Sequence, residues 1–256
     1  MSDTTTNLPD AAHQVAILLM AARTNPALKL DLIPENIRPA DRPQAYAIQH
    51  LVAASFESIG GWKVGAAGPE APPQCGALPN VGITASPATM PSASLRGIEA
   101  EVCFRMARDL PPRETPYTRD EVISAIEAAY PVIETLDSRF ADPDAVDAFS
   151  GLADTQSHGG LVYGKGVADW QHIDFASETV EQYVNGALHM KRTGNPVGDM
   201  IRLVVWMANE GAVWAGGLKA GQFVTCGSWT GKSVVPEMAK IRVVFPSLGE
   251  VLVDYA

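Results

Sequence analysis

The chain is expected to fold as an α+β protein dominated by antiparallel or mixed sheet. Three observations predict that class: strand-like apolar runs crowd the second half, helical periodicity is confined to a few segments, and Gly, Pro, Asn and Asp punctuate the chain at short intervals. With 256 residues, 46% of them hydrophobic, the chain can bury a sizeable core as one domain.

The elements follow in order. Residues 1 to 9 are polar and read as a flexible tail, which leaves 10 to 256 as a single domain with 10 to 60 as its N-terminal helical part. Asp10 is placed to cap a helix carrying Val15, Ile17, Leu18, Leu19 and Ala22. A proline-containing connector over 26–40 leads to a second helix, from near Asp41 to Gly60-Gly61. Lys63 then enters a strand, and 66–95, rich in Gly, Pro, Ala and Ser, reads as a long loop with short strands of the kind that covers sites. After an apolar strand over 98–104, Thr118 and Glu121 have capping-box spacing, and Val122, Ile123, Ile126 and Ala129 mark a helical stripe. A returning strand-like run over 130–139 carries Glu134. Further on, Asn185-Gly186 separates two strand-like runs as a hairpin turn does. Asp199 precedes a buried helix that ends near Gly211, and strands over 223–225, 241–245 and 251–253 complete the chain. There is no internal repeat.

Composition excludes several classes of function. A net charge of −10 and a pI near 4.9 leave no basic patch with which to replace the counterions of a nucleic acid. No apolar stretch approaches the length of a membrane span, and the first residues lack a signal peptide's basic region and apolar core, so a reducing cytoplasm is the expected location. Cys75, Cys103 and Cys226 are odd in number and lack zinc-ligand spacing, and each reads as a small buried residue.

The chemistry-bearing residues stand out by conflict with their surroundings. Glu99 and Glu101 interrupt an apolar strand, and residues two apart on a strand share a face, about 7 Å apart at the backbone. Two close carboxylates repel, and a hard divalent cation compensates both. On its own the pattern suits a solvated strand face equally well. Glu134, on a strand that can return beside the first, would supply a third acid. Lys63, between Trp62 and Val64, is either confined, with burial lowering its pKa and a nearby carboxylate raising it, or a lysine reaching out to water. The segment from Thr225 to Lys232 can expose hydroxyls and amides to a carboxylate, or simply join core strands; it lacks phosphate-loop spacing. His13, His50, His172 and His189 fit structural or solvent roles, whereas His158 could shuttle protons, with a loop histidine as the plainer alternative. Lys165 reads as a surface turn residue, and Asp137 with Arg139 as an ion pair orienting the strand of Glu134.

Gly61-Trp62-Lys63-Val64-Gly65, Glu99-Ala100-Glu101, Ile133-Glu134 followed by Asp137-Ser138-Arg139, and Thr225-Cys226-Gly227-Ser228-Trp229-Thr230 occur in an order that resembles the 2-keto-4-pentenoate hydratases. With the 4-oxalocrotonate decarboxylases, these belong to the fumarylacetoacetate hydrolase superfamily. Arg42-Pro43-Gln44-Ala45-Tyr46 extends the likeness into the first third. The resemblance implies a fumarylacetoacetate hydrolase-like mixed β-sheet roll with an N-terminal helical region. It implies Mg2+ or Mn2+ held by Glu99, Glu101 and Glu134, with Lys63 and Asp154 as catalytic residues and Leu78, Ser228 and Thr230 at the substrate. The implied activity is a hydro-lyase reaction of aromatic-compound catabolism, in which water adds to 2-hydroxypenta-2,4-dienoate or a related short unsaturated 2-oxo acid to give a 4-hydroxy-2-oxo acid. Lys63 would assist proton transfer. Replacing Glu101 or Glu134 by Gln is expected to abolish turnover and leave folding intact. The implied partners are a small 2-oxo or 2-hydroxy unsaturated carboxylate, further copies of the chain in a homo-oligomer, and a related decarboxylase.

The chain departs from that family's pattern at cleft-wall positions. Ala66-Ala67-Gly68 stands where hydroxyl-bearing residues are usual, the segment Gln74-Cys75-Gly76-Ala77-Leu78 differs, and Thr155 replaces an asparagine after Asp154. These changes keep open a 4-oxalocrotonate-type decarboxylase, an acylpyruvate carbon-carbon hydrolase, and a noncatalytic partner subunit.

Overall fold

The computed structural model describes residues 8–91 and 95–256. Two helices open it, α1 (Leu8–Thr24) and α2 (Arg42–Ala53). Residues 1–7 of the expected tail lie outside the described residues, and α1 already includes Leu8 and Pro9. Asp10 therefore sits inside the first turn, where it accepts a hydrogen bond from Gln14 Nε2 at 2.9 Å. Asp41 caps α2 as expected, its carboxylate accepting the Gln44 amide at 2.9 Å. The expected run of α2 to Gly60-Gly61 is corrected, because those glycines belong to strand β1 (Ile59–Gly65). Close backbone approach requires them there: a Cβ on Gly60 would lie 2.6 Å from Asn80 Cα, and one on Gly61 2.6 Å from the Phe223 carbonyl oxygen.

The expected loop after β1 contains β2 (Gln74–Pro79), β3 (Ile83–Ala85) and β4 (Ala88–Met90). The strand of the paired acids is β5 (Gly97–Met106), and the returning strand is β6 (Ile126–Leu136). Between them, the capping box of Thr118 and Glu121 forms, but helix α3 runs only over Arg119–Ile123. Ile126 and Ala129, expected on its stripe, lie in β6, where pairing along β5 captures them. Then come α4 (Ala148–Ala153) and β7 (His158–Tyr163). The hairpin of β8 (Thr179–Val184) and β9 (Ala187–Thr193) turns at Asn185 and Gly186, with φ of 51° and 82°, the left-handed pair a type I′ turn needs. Helix α5 (Met200–Trp206), capped by Asp199, continues into a wider π turn ending at Gly211. The last strands are β10 (Phe223–Thr225), β11 (Ser233–Val234), β12 (Lys240–Phe245) and β13 (Gly249–Tyr255).

Two mixed sheets result. The larger is ordered β2-β1-β10-β5-β6-β7-β3, with β11 pairing β5; β1 runs parallel to β10 and β3 to β7. The smaller is ordered β4-β13-β12-β8-β9. One face of β5, carrying Ile98, Ala100, Val102 and Phe104, shares an apolar cluster with Val180, Val243, Val251 and Val253 of the smaller sheet. Burying each of the Val, Ile and Phe side chains contributes about 1.5–3 kcal/mol. The opposite face of the larger sheet holds a smaller cluster of Leu78, Cys103, Tyr130, Val132, Leu161 and Phe223. Helices α1, α2 and α4 form a third cluster around Phe140. All three cysteines are free and buried. No helix among the described residues is long and apolar enough to cross a membrane.

Candidate metal centre and active site

Register puts the acids together. β5 and β6 run antiparallel with Glu99 directly opposite Glu134, and Glu101 follows two residues along the same face. The three offer carboxylate oxygens that all lie within 4.8 Å of one another. Like charges paired across strands destabilise a sheet, so the cluster needs positive charge. Lys63 supplies part of it: its Nζ donates to Glu134 Oε1 at 2.8 Å and to the Gln156 carbonyl at 3.2 Å. In parallel register with Lys63 lies Thr225, whose hydroxyl donates to Glu101 Oε2. His158, fully buried, approaches the same Glu134 Oε1 through Nδ1 at 2.8 Å.

The electrostatics follow from burial and these partners. Burial, then the neighbouring Glu134 and Glu99, push the Glu101 carboxyl well above its ordinary range. Glu99 is raised as well, by burial, although Lys63 and a hydrogen bond from Ser228 oppose the shift. Burial also works against an ionised Glu134, but the Lys63 charge and the His158 hydrogen bond outweigh it and hold that carboxyl below its usual value. For Lys63, desolvation favours the neutral amine, yet Glu134, Glu99 and Glu101 together raise its pKa; of the two directions open in the sequence, the carboxylates win. Burial lowers the His158 pKa, which leaves a neutral ring with Nδ1–H assigned as donor to Glu134.

The donor set fits a divalent ion. Glu134 Oε2 is buried without a hydrogen-bond partner, while Oε1 of the same carboxylate accepts from both Lys63 and His158, and Glu101 is ionised only at a cost that a cation would remove. Three carboxylates without sulfur or imidazole ligands suit a hard ion such as Mg2+ or Mn2+.

A cleft of about 500 Å³ opens over Lys63, Glu99 and Glu101, with Ala66, Ala67, Gln74, Val197, Ser228 and Lys232 among its walls. Of the residues singled out in the sequence, Lys63, Glu99, Glu101 and Glu134 converge, and Ser228 stands beside Glu99. His158 joins them through Glu134, and the others lie elsewhere. Leu78 is fully buried among apolar side chains. Thr230 accepts the Ala100 amide and donates to the Gly231 carbonyl, tying its loop to β5. Asp154 is buried in an ion pair with Arg139 and accepts from Ser138 Oγ at 3.0 Å. The expected pairing of Asp137 with Arg139 is corrected by the same contact: Asp137 instead meets Lys29 Nζ at 2.7 Å. His13, His172, His189 and Lys165 are exposed, and His50 stacks on Trp214. Sequence reasoning quoted Thr225 but assigned it no role, and it missed the Gln156 carbonyl, for which a backbone group leaves no residue signature.

No family model matches the chain. Over 131 residues, 51% of this chain, it is 30% identical to a 2-hydroxyhexa-2,4-dienoate hydratase of Comamonas testosteroni, covering 48% of that protein. Over 160 residues, 59% of this chain, it is 26% identical to a 4-oxalocrotonate decarboxylase of a Pseudomonas species, covering 57% of it. The chain thus matches about half the length of these curated relatives. Among solved structures, 4-oxalocrotonate decarboxylase from Pseudomonas putida G7, complexed with magnesium and adipate, superposes with a TM-score of 0.81 at 22% identity, covering 95% of this chain and 98% of that one. The same enzyme complexed with calcium and acetate gives 0.75 at 20% identity, covering 100% and 99%. A putative fumarylacetoacetate hydrolase family protein from Yersinia pestis CO92 gives 0.58 at 14% identity, covering 79% and 94%. The resemblance read from the motifs is borne out, and the fold it implied is the fold observed.

Proposed function

We propose that this chain is a divalent-metal-dependent hydratase that adds water to 2-hydroxypenta-2,4-dienoate or a related short unsaturated 2-oxo acid, giving a 4-hydroxy-2-oxo acid. The observation that carries this reading is the convergence of Glu99, Glu101 and Glu134 with Lys63 at one end of a substrate-sized cleft. The names of the relatives, a dienoate hydratase and a 2-oxo diacid decarboxylase, support the substrate class.

The three glutamates would hold the ion, which when bound supplies Lewis-acid stabilisation of negative charge developing at the 2-oxo group. Ketonisation of the dienol moves one proton from the 2-hydroxyl to the terminal carbon; Lys63, held in the cleft by Glu134, can give its Nζ proton to that carbon and recover the one the hydroxyl releases, leaving an enone whose distal alkene is open to water. His158 and Lys63 together keep Glu134 ionised. Ser228 holds Glu99 from the rim. Val197, Ala66 and Ala67 give the cleft an apolar wall against the hydrocarbon part of the substrate.

That same wall favours decarboxylation of a 2-oxo diacid as a second reading, because Ala66 and Ala67 offer no hydroxyl to orient water, whereas decarboxylation needs only the electron sink at the 2-oxo group. Residues 10–256 are proposed as one catalytic unit, supported by the Lys29–Asp137 contact between the helical region and the end of β6. A homo-oligomer is also proposed, supported by exposed Val81, Val234 and Met238, which association would cover. Light scattering tests it.

The deciding experiment supplies metal-stripped protein with freshly generated 2-hydroxypenta-2,4-dienoate, with and without Mg2+ or Mn2+. Metal-dependent loss of dienol absorbance with a product heavier by one water supports the hydratase. Carbon dioxide release from 4-oxalocrotonate alone supports the second reading. Cleavage of an acylpyruvate, or metal binding without any turnover, overturns both.

A further inference from the structure

Thr155, Gln156 and Ser157 have φ of 54°, 51° and 61°, a complete left-handed turn built from three consecutive residues that carry a Cβ. L-residues resist this conformation, β-branched threonine most of all, and such strain persists only where the surroundings over-determine it. Here they do. The buried Arg139 guanidinium spans both ends of the turn: Nη2 donates to the Asp154 carbonyl at 2.8 Å and Nη1 to the His158 carbonyl at 2.8 Å. Its Nε is paired with the Asp154 carboxylate, whose second oxygen accepts the Arg139 amide at 3.1 Å and Ser138 Oγ at 3.0 Å. On the other side, Gly76 lies in register with Lys63, and a Cβ there would come 2.4 Å from Thr155 Cγ2. The turn's product is at its centre, where the Gln156 carbonyl accepts Lys63 Nζ at 3.2 Å.

An ammonium has three N–H groups. Glu134 Oε1 takes one and the Gln156 carbonyl takes a second, so the third has a single direction left, with Lys63 itself lining the cleft. One anchor alone would let the ammonium rotate about its Glu134 contact. We propose that Arg139 and Asp154 are positioning residues that impose the left-handed turn over 155–157, and through the Gln156 carbonyl aim the Lys63 ammonium at the substrate. The inference rests on the reading of Lys63 as the proton-transfer group. It gives Asp154, expected from the sequence to be catalytic, a role one step removed from the chemistry.

The test compares wild type with Arg139→Met, Arg139→Lys, Asp154→Asn and the double variant Arg139→Met with Thr155→Gly. Each is loaded with Mn2+ and assayed for kcat, KM and Mn2+ affinity. In parallel, 15N NMR follows solvent exchange of the Lys63 Nζ protons, assigned by their loss in Lys63→Met. Misaligned reacting groups cost about 10- to 100-fold in rate. Arg139→Met is expected to lose kcat in that range with KM and Mn2+ affinity little changed, and to speed Nζ exchange. Arg139→Lys keeps the charge but not the fork that bridges two carbonyls, so it should fare no better. Glycine adopts positive φ without steric cost, so Thr155→Gly should restore part of the kcat that Arg139→Met loses. A purely structural role for Arg139 would restore folded protein in the double variant but leave Nζ exchange in folded Arg139→Met unchanged. Unchanged Nζ exchange in Arg139→Met, kcat within twofold of wild type, or a well-folded double variant with no recovery overturns the proposal. If the Arg139→Met variants do not fold, Arg139→Lys and Asp154→Asn decide it on the same readouts. If wild type turns over neither dienoate nor 4-oxalocrotonate, the functional reading fails, and the exchange measurement still decides whether the clamp orders Lys63.

Discussion

Glu101 and Glu134 are both buried ligand candidates, yet their partners give them opposite energetics. Burial and two neighbouring acids push Glu101 toward its protonated form, with a threonine hydroxyl on one oxygen. Glutamine has nearly the shape and hydrogen-bonding of that form, so Glu101→Gln should change metal-free stability by less than about 1 kcal/mol while abolishing Mn2+ binding and turnover. Glu134 is held ionised by Lys63 and His158. Glu134→Gln leaves a buried ammonium without its counter-charge, a kind of loss that costs about 3–5 kcal/mol. Intact folding, expected for both variants from the sequence, is thus predicted only for Glu101. Urea unfolding of the two metal-free proteins checks it, and equal stability of Glu134→Gln and wild type would count against the ion pair. The acids and Lys63 were legible because charge inside apolar strands contradicts its context. His158, Arg139 and Asp154 were singled out but their partners were not legible, since Glu134 for His158 and Asp154 for Arg139 lie 24 and 15 residues away, where no local pattern reveals them.

Elements were legible where a cap or turn fixes them and illegible where pairing decides. Asp41, Thr118 and Asp199 cap helices as their spacing predicts, and Asn185-Gly186 turns a hairpin. The ends of α2 and α3 were misread because the spacing of Val122 and Ile126 suits one helix or two elements equally, and β5 claims the second. At this scale the cleft depends on how β2 and the helices brace the turn after α4. Gln49 of α2 donates to the Leu152 carbonyl at 2.8 Å and to the Cys75 carbonyl at 3.2 Å, joining α4 and β2 in the interior. Gln49→Leu should cost about 1–3 kcal/mol, since buried carbonyls lose their donor; denaturant unfolding that shows no loss would remove the brace. Gly76→Ala places a methyl against Thr155 and should destabilise by about 1–3 kcal/mol through overpacking. Its activity should fall by more than its folded fraction does, because the displaced residue belongs to the turn that anchors Lys63. Activity that tracks folded fraction would argue that the turn is passive.

Across the whole molecule, an acidic chain of net charge −10 concentrates three carboxylates on one sheet face, and a divalent ion turns that liability into stability. Ligand linkage makes the gain about 2.7 kcal/mol at a metal concentration a hundred times Kd, which for a chain of this size raises Tm by about 5–10 °C. The gain depends on pH with a definite sign. The folded-state pKa of Glu101 lies well above its ordinary 4.5, so the metal-free native state holds a proton that the unfolded chain releases, and metal-free stability falls as pH rises from there through the shifted value. Metal binding requires that proton to leave, so the metal-induced rise in Tm grows with pH over the same window and levels off above it. Glu99 is shifted the same way and adds to the trend. Glu134, lowered below 4.5, and Lys63, raised above 10.5, titrate outside the window. Burial shifts His158 in the direction that keeps its ring neutral. Calorimetric scans at about pH 5 and 8, with and without Mn2+, should therefore show the larger metal-induced rise at the higher pH. Glu101→Gln should show no rise at either. A rise that shrinks with pH, or one that survives in Glu101→Gln, would place the ion somewhere other than these three glutamates.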